Sequence, residues 1–216
     1  MGPAGAPNVT LDKLLSPDPK LEKDLETIMK ASKAAKLPFR MSEGNSCWNG
    51  GQQGVSDTLA SALWVADVML QFAAAGCVGV NMHGGGNGYY TPIAGSLGKG
   101  FSKRPEYFGM QLAEKFSGAT MLTTVVQCES DRVRAYAAER SGAFQIALIN
   151  KTNQRVQISM EFPHAVGKKR PEVWVLTGPA MERADGVAFQ KAEAANGKSA
   201  TLEVGPHSAT LWKYQS

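Results

Sequence analysis

Paired cysteines are missing from this sequence. Cys47, Cys77 and Cys128 are three, an odd number, far apart and without CxxC spacing, so neither a disulfide framework nor a zinc site is expected. His83, His164 and His207 are scattered without metal-ligand spacing, and the expected cofactor complement is none. Long apolar runs are missing too. The stretch from Leu63 to Met82 is interrupted by Asp67 and Gln71 and divided by Gly76, so it reads as a helix followed by a strand, with no membrane span. Charge of one sign is scarce: the net charge is +4, and the longest basic cluster, Lys168, Lys169 and Arg170, lies between Gly167 and Pro171 as a solvated turn would. No nucleic-acid partner is expected. The opening MGPAGAPNVTLDKLL has neither the positive start nor the apolar run of a signal peptide, and nothing in it assigns a compartment. Glycines 84, 85 and 86 lack both the Lys-Ser/Thr of a phosphate loop and GxGxxG spacing, so they read as a permissive loop.

What is present is enough apolar material, 43% of 216 residues, for a substantial core. Up to residue 118, helix and strand signals alternate. Leu21, Leu25, Ile28 and Met29 recur at helical spacing until Pro38 ends the pattern. PFRMS is then a short strand leading to Glu43. A second helix is expected between an N-cap at Ser56 and a C-cap at Gly76, with Leu59, Leu63, Ala66, Leu70 and Ala73 on one face. CVGVNM follows as a buried strand, and Pro105 opens a third helix that ends at Gly118. Residues 119–216 change character: seven short segments rich in Val, Ile, Thr and aromatics are separated by turn-rich pieces, as in a β-sandwich. The expected organisation is an α/β unit over 1–118, with 1–18 as a flexible lead, and an all-β unit over 119–216. Trp64, Trp174 and Trp212 read as core residues, and Cys47 as a pocket-wall or buried residue.

In parallel α/β architectures chemistry sits where strands end. Glu43 lies at the end of the first expected strand and NMHGGGNGYY, residues 81–90, at the end of the second. Glu43, Asn81, His83, Tyr89 and Tyr90 brought to one rim would make a polar and aromatic concavity. A sugar ring, with apolar C–H faces and a rim of hydroxyls, is the ligand such a surface suits.

The run FRMSEGNSCWNGGQQGVSDTLASALWVADVMLQFAAAGCVGVNMHGGGNGYYTPI, followed by RPEYFGMQLAEKF, resembles the C-terminal part of the catalytic domain of glycoside hydrolase family 79, the heparanase and β-glucuronidase relatives. The likeness runs over residues 38–117, and the β-rich tail resembles that family's second domain. It implies a fold class of α/β plus all-β: the last two strand-helix units of a (β/α)8 barrel followed by a β-sandwich. It also implies that Glu43 is the nucleophile of a retaining mechanism, that Tyr90 and the backbone around Tyr89 contact a uronic acid carboxylate, and that Asn45 and Trp48 line the pocket. The implied substrate is a glucuronic-acid-containing glycoside or polysaccharide.

The family's acid/base glutamate, in an Asn-Glu pair on an earlier strand, has no counterpart: the chain contains no Asn-Glu dipeptide. A complete barrel takes ~250 residues, far more than the α/β part holds. None of Asp57, Asp67, Glu106, Glu114, Glu129 or Asp131 falls at a strand's C-terminal end beside Glu43. The expectation is therefore a fragment or subunit of a retaining β-glucuronidase-like enzyme, inactive alone, with a second chain or a second copy covering its open strand edges. The alternative is a non-catalytic carbohydrate-binding or structural module derived from such an enzyme.

Overall fold

The computed structural model describes residues 1–159, 170–193 and 201–215. The chain opens with α1 (Leu11–Leu15) and α2 (Pro19–Ala35), followed by β1 (Met41–Gly44), α3 (Leu59–Ala74) and β2 (Val80–Met82). A hairpin of β3 (Ile93–Ser96) and β4 (Gly100–Lys103) leads to α4 (Pro105–Glu114). The remainder is β5 (Thr120–Leu122), β6 (Val133–Arg140), β7 (Ala143–Asn150), β8 (Val156–Ser159), β9 (Glu172–Thr177), β10 (Ala188–Ala192), β11 (Thr201–Val204) and β12 (Ser208–Tyr214).

Local chemistry explains the helix ends. The Asp18 carboxylate accepts from the Lys20 and Leu21 amides ahead of Pro19, and Lys36 closes α2 in the left-handed region. α3 starts at Leu59 after Thr58, two residues beyond the expected Ser56 cap. Its first amides do not need a side-chain cap, because Leu59 N donates to the Arg183 carbonyl and Ala60 N to the Met181 carbonyl. The Ser56 hydroxyl instead serves Ser46 and the Gln52 amide. α3 joins two parallel strands, with Met41 opposite Val80 and Gly44 opposite Met82. The resulting β-α-β unit brings both C-terminal strand ends to one edge.

Six strands form an antiparallel sheet in the order β10-β9-β12-β7-β6-β5, while β8 and β11 make a separate ribbon. One face of the sheet, through Tyr136, Ala147, Ile149 and Leu211, joins the main core with Leu63, Leu70 and Leu112 of α3 and α4. The other face meets the ribbon, where Leu202 and Val204 pack with Leu148, Val173 and Trp212. Among the described residues the all-β part is thus a large sheet with helices on one side and a ribbon on the other. Trp212 is core, and Trp64 and Trp174 pack partly buried against the main cluster.

Two further expectations need correcting. The lead is not loose: Thr10 caps α1 by accepting from Lys13 N, Val9, Leu14 and Leu15 are buried, and Pro3 bridges Trp48. Its Gly/Pro/Ala composition hid three side chains the core takes up. Strands β3, β4 and β10 went unread, because Gly95, Gly98 and Gly100 punctuate the first two and β10 is a short segment broken by exposed Gln190 and Lys191. Residues 160–162 of one expected strand, His164, Lys168 and Lys169 lie outside the described residues.

A buried ion pair crosses from α3 to the sheet. Lys151 Nζ lies 2.7 Å from Asp67 Oδ2, and the Tyr136 hydroxyl donates to Asp67 Oδ1 at 2.5 Å. Removing the carboxylate strands a buried lysine, so Asp67→Ala is expected to lower unfolding free energy by about 3–5 kcal/mol. Asp67→Ala combined with Lys151→Met is expected to recover much of that loss in a denaturant titration. Additive losses would show that the two side chains are not coupled.

Candidate functional site

Glu43 is the penultimate residue of β1, 68% exposed, with Oε1 3.0 Å from His83 Nδ1. The register of the two strands makes this pair, since His83 follows β2 directly and its amide donates to the Gly44 carbonyl at 2.8 Å. The His83 ring meets Tyr90 edge-on, with centroids 5.7 Å apart.

The loops that follow the two strands lie against each other because glycines let them. A Cβ on Gly51 would fall 2.7 Å from Tyr90 N, and one on Gly88 would fall 2.7 Å from the Gly50 carbonyl oxygen. Trp48 on one loop and Tyr89 on the other remain largely exposed. Trp48 is held through its backbone, its amide donating to the Gly2 carbonyl and its carbonyl accepting from Ala4 N. The Tyr89 hydroxyl approaches Gln53 Oε1 at 3.5 Å. Tyr90 is only 7% exposed, so its place is beneath His83. Asn81 is engaged elsewhere: its side-chain oxygen accepts from Arg40 at 2.7 Å.

Asn45 is turned inward. Its Nδ2 donates to the His83 carbonyl at 2.7 Å and to Glu106 Oε2 at 3.3 Å, while Oδ1 accepts from Ser46 N. The amide is occupied on both sides by the protein itself. Cys47 is buried, its sulfur 3.4 Å from the Ser56 hydroxyl.

Glu106, read from the sequence as a carboxylate of the third helix apart from Glu43, reaches the site through Asn45. It is 1% exposed, in the first turn of α4, with Oε1 accepting from Ser61 of α3 at 3.0 Å. Burial pushes its carboxyl up to about 8, against the opposing effect of the hydrogen bonds from Ser61 and Asn45. A signal was available: Glu106, Gly109, Leu112, Ala113 and Phe116 fall on one face of the helix, a carboxylate on an otherwise small and apolar stripe. Glu106 is enclosed, and both of its oxygens are bonded within the protein, at Ser61 and Asn45. Among the described residues no second carboxylate is hydrogen-bonded to the Glu43–His83 pair.

Beside the free edge of β2 an open cleft of about 980 Å³ is lined by Val78 and Val80, by Met69 of α3 and by Tyr107 and Met110 of α4. Val78 and Ile93, both on this cleft, are exposed apolar residues.

No known family profile matches the chain. The chain is 33% identical over 149 residues to a β-glucuronidase of Neurospora crassa, a match taking in 62% of this chain and 27% of that protein. Among solved structures it is similar to an α-L-arabinofuranosidase from Thermotoga maritima (TM-score 0.73, 15% identity), covering 98% of this chain and 51% of that one. It is also similar to a 4-O-α-L-rhamnosyl-β-D-glucuronidase from Fusarium oxysporum 12S (TM-score 0.65, 19% identity), with coverage of 98% and 51%. A GH51 arabinofuranosidase from Xanthomonas axonopodis pv. citri gives a TM-score of 0.67 at 19% identity, with coverage of 99% and 50%. The chain therefore spans about half the length of these structures and about a quarter of the curated relative. These likenesses support a relationship to glycoside hydrolases and a fold consistent with part of a (β/α)8 barrel. No closed barrel is present among the described residues.

The Glu106 carboxyl gives stability a pH signature. Its folded value of about 8 lies above the ~4.3 of an unfolded glutamate, so between those values the folded chain holds a proton that unfolding releases. Stability from this group is full below the unfolded value and is lost as pH rises through the folded one, at up to ~1.4 kcal/mol per pH unit. Glu106→Gln cannot ionise, so the difference in thermal midpoint between wild type and variant is expected to move in the variant's favour from pH 5 to 8. Parallel profiles would show that Glu106 titrates as it does in water.

Proposed function

We propose that this chain is the C-terminal part, or one subunit, of a retaining β-glucuronidase-like glycoside hydrolase of the family 79 kind, catalytically incomplete alone. Glu43 carries this assignment: it is a carboxylate at the C-terminal end of a parallel strand, with His83 Nδ1 3.0 Å from its Oε1. In a retaining mechanism one carboxylate attacks the anomeric carbon and another carboxyl group, ~5 Å away, protonates the leaving oxygen and then activates water. Glu43 takes the first role. The His83 Nδ1–H engages one of its oxygens and fixes the direction from which the other approaches the sugar. Exposed Trp48 and Tyr89 supply faces for the ring, with Tyr90 beneath. The likeness to a fungal β-glucuronidase favours a glucuronic-acid-bearing glycoside or polysaccharide as substrate.

On this reading the second carboxyl group comes from barrel strands other than β1 and β2. β1 and β2 pair only with each other, which leaves the outer edge of each unpaired among the described residues. The competing reading is a carbohydrate-binding or structural module, favoured by the openness of the rim around Glu43.

A 2-fluoro-glucuronosyl fluoride separates these readings, because fluoride leaves with little help from a general acid. Intact mass and peptide mapping are expected to show a covalent adduct on Glu43, absent in Glu43→Gln. Saturable glucuronate binding that survives Glu43→Gln, with no adduct in wild type, would favour the module instead. Light scattering tests the open edges: particles larger than the 23.0 kDa chain are expected. A monodisperse monomer would remove the argument that the edges require a partner.

A further inference from the structure

We propose that Glu106 is a positioning residue that sets the Glu43–His83 pair through the side chain of Asn45, an inference that rests on Glu43 being the nucleophile. A continuous line of contacts joins them. Ser61 of α3 bonds Glu106 Oε1 at 3.0 Å, Glu106 Oε2 accepts from Asn45 Nδ2 at 3.3 Å, and the same amide nitrogen donates to the His83 carbonyl at 2.7 Å. From His83 the line ends at Glu43 Oε1, 3.0 Å from Nδ1. Two helices and two strand ends meet in this line.

A purely local role for Glu106 does not account for the geometry. An acidic residue in a first helical turn is favoured by the helix dipole while still in water. Glu106 is enclosed, and it faces α3 and the end of β1. An apolar side chain could occupy this contact without the cost of burying a carboxyl. What glutamate adds is an acceptor for the second Asn45 amide proton and a partner for Ser61.

That acceptor matters because Asn45 has two donor protons and one oxygen, and the structure assigns each. His83 O and Glu106 take the protons, and Ser46 N approaches the oxygen, so the amide has a single orientation that satisfies all of its neighbours. Glu106 Oε2 accepts from Asn45 and Oε1 accepts from the Ser61 hydroxyl, so both oxygens have assigned partners. Without an acceptor at 106 the amide can turn, the His83 carbonyl loses its donor, and Nδ1 is no longer held toward Glu43. The Glu106 carboxyl acts only through Asn45 and is not a catalytic residue.

The test uses the full chain with Glu106→Met, which fills the space without an acceptor, and Glu106→Gln, which keeps both bonds. Long-range 1H–15N correlation reads the His83 tautomer, and amide exchange reads the Asn45 side chain. Wild type and Glu106→Gln are expected to hold the Nδ1–H tautomer with slowed Asn45 exchange. Glu106→Met is expected to shift His83 toward the Nε2–H form that prevails in water and to speed Asn45 exchange at least tenfold. A Met variant that loses stability while keeping the wild-type tautomer and exchange would overturn the proposal. So would wild-type Asn45 protons that exchange as fast as those of an exposed amide, a result that needs no variant. Where the fluoride reagent labels Glu43, the Met variant is expected to slow inactivation about tenfold with little change in reagent affinity, and the Gln variant to restore it. Should wild type show the expected spectra but no label, the nucleophile assignment fails while the positioning contact stands.

Discussion

The ion pair of Asp67 with Lys151 is the constraint on which the rest of the molecule depends. Lys151 is 2% exposed, and taking its charge out of water is tolerable only because the carboxylate opposite is itself fully engaged. Tyr136 donates to one oxygen, Lys151 reaches the other, and Arg134 lies 3.7 Å away while also meeting Glu22 of α2 at 3.3 Å. Burial and the neighbouring Asp67 charge push the Tyr136 phenol well up, so it stays a donor. Apolar contacts alone would let α3 slide over a sheet face of Ala, Leu and Ile. A salt bridge with fixed partners admits one position. It locates α3 on the sheet, and α3 in turn carries Ser61.

From α3 the constraint passes outward by packing. Gly109 of α4 sits so close to α3 that a Cβ there would fall 2.1 Å from the Ala62 carbonyl oxygen. This approach brings Glu106, one helical turn earlier, within reach of Ser61 and Asn45. The two strand ends are thus set from below by helices and from the side by their own pairing. The site rim, although exposed, is attached to the most deeply buried part of the chain.

Much of this was legible in the sequence, and the reasons for the gaps are physical. Helical periodicity and prolines at first turns located α2, α3 and α4 closely, since those signals arise within a few residues of chain. The Ser56 cap failed because the amides at the start of α3 find acceptors at Met181 and Arg183, more than a hundred residues later in the chain. Glu43 and His83 were readable as strand-end residues, and Trp48 and Tyr89 as aromatics on the adjoining loops. The inward turn of Asn45 was not readable, because its partners at positions 83 and 106 are joined only by the fold. Glu106 was readable as a carboxylate of the third helix, but its contacts with Ser61 and Asn45 were not, because those residues are joined to it only by the fold.

A carboxyl raised toward neutrality near a solvent-exposed one is the arrangement from which acid/base pairs in glycosidases are inferred. Here the inference fails on geometry. A general acid must present its proton to the leaving oxygen, and both Glu106 oxygens are bonded inside the protein, at Ser61 and Asn45. Its raised value follows from enclosure and reports no readiness to transfer a proton. If Glu43 is the nucleophile, the proposed acid lies beyond the open edge of β1 or β2, on barrel strands other than these two. On that reading the unpaired edges and the missing acid have one cause, since the same absent barrel strands would cover the first and carry the second.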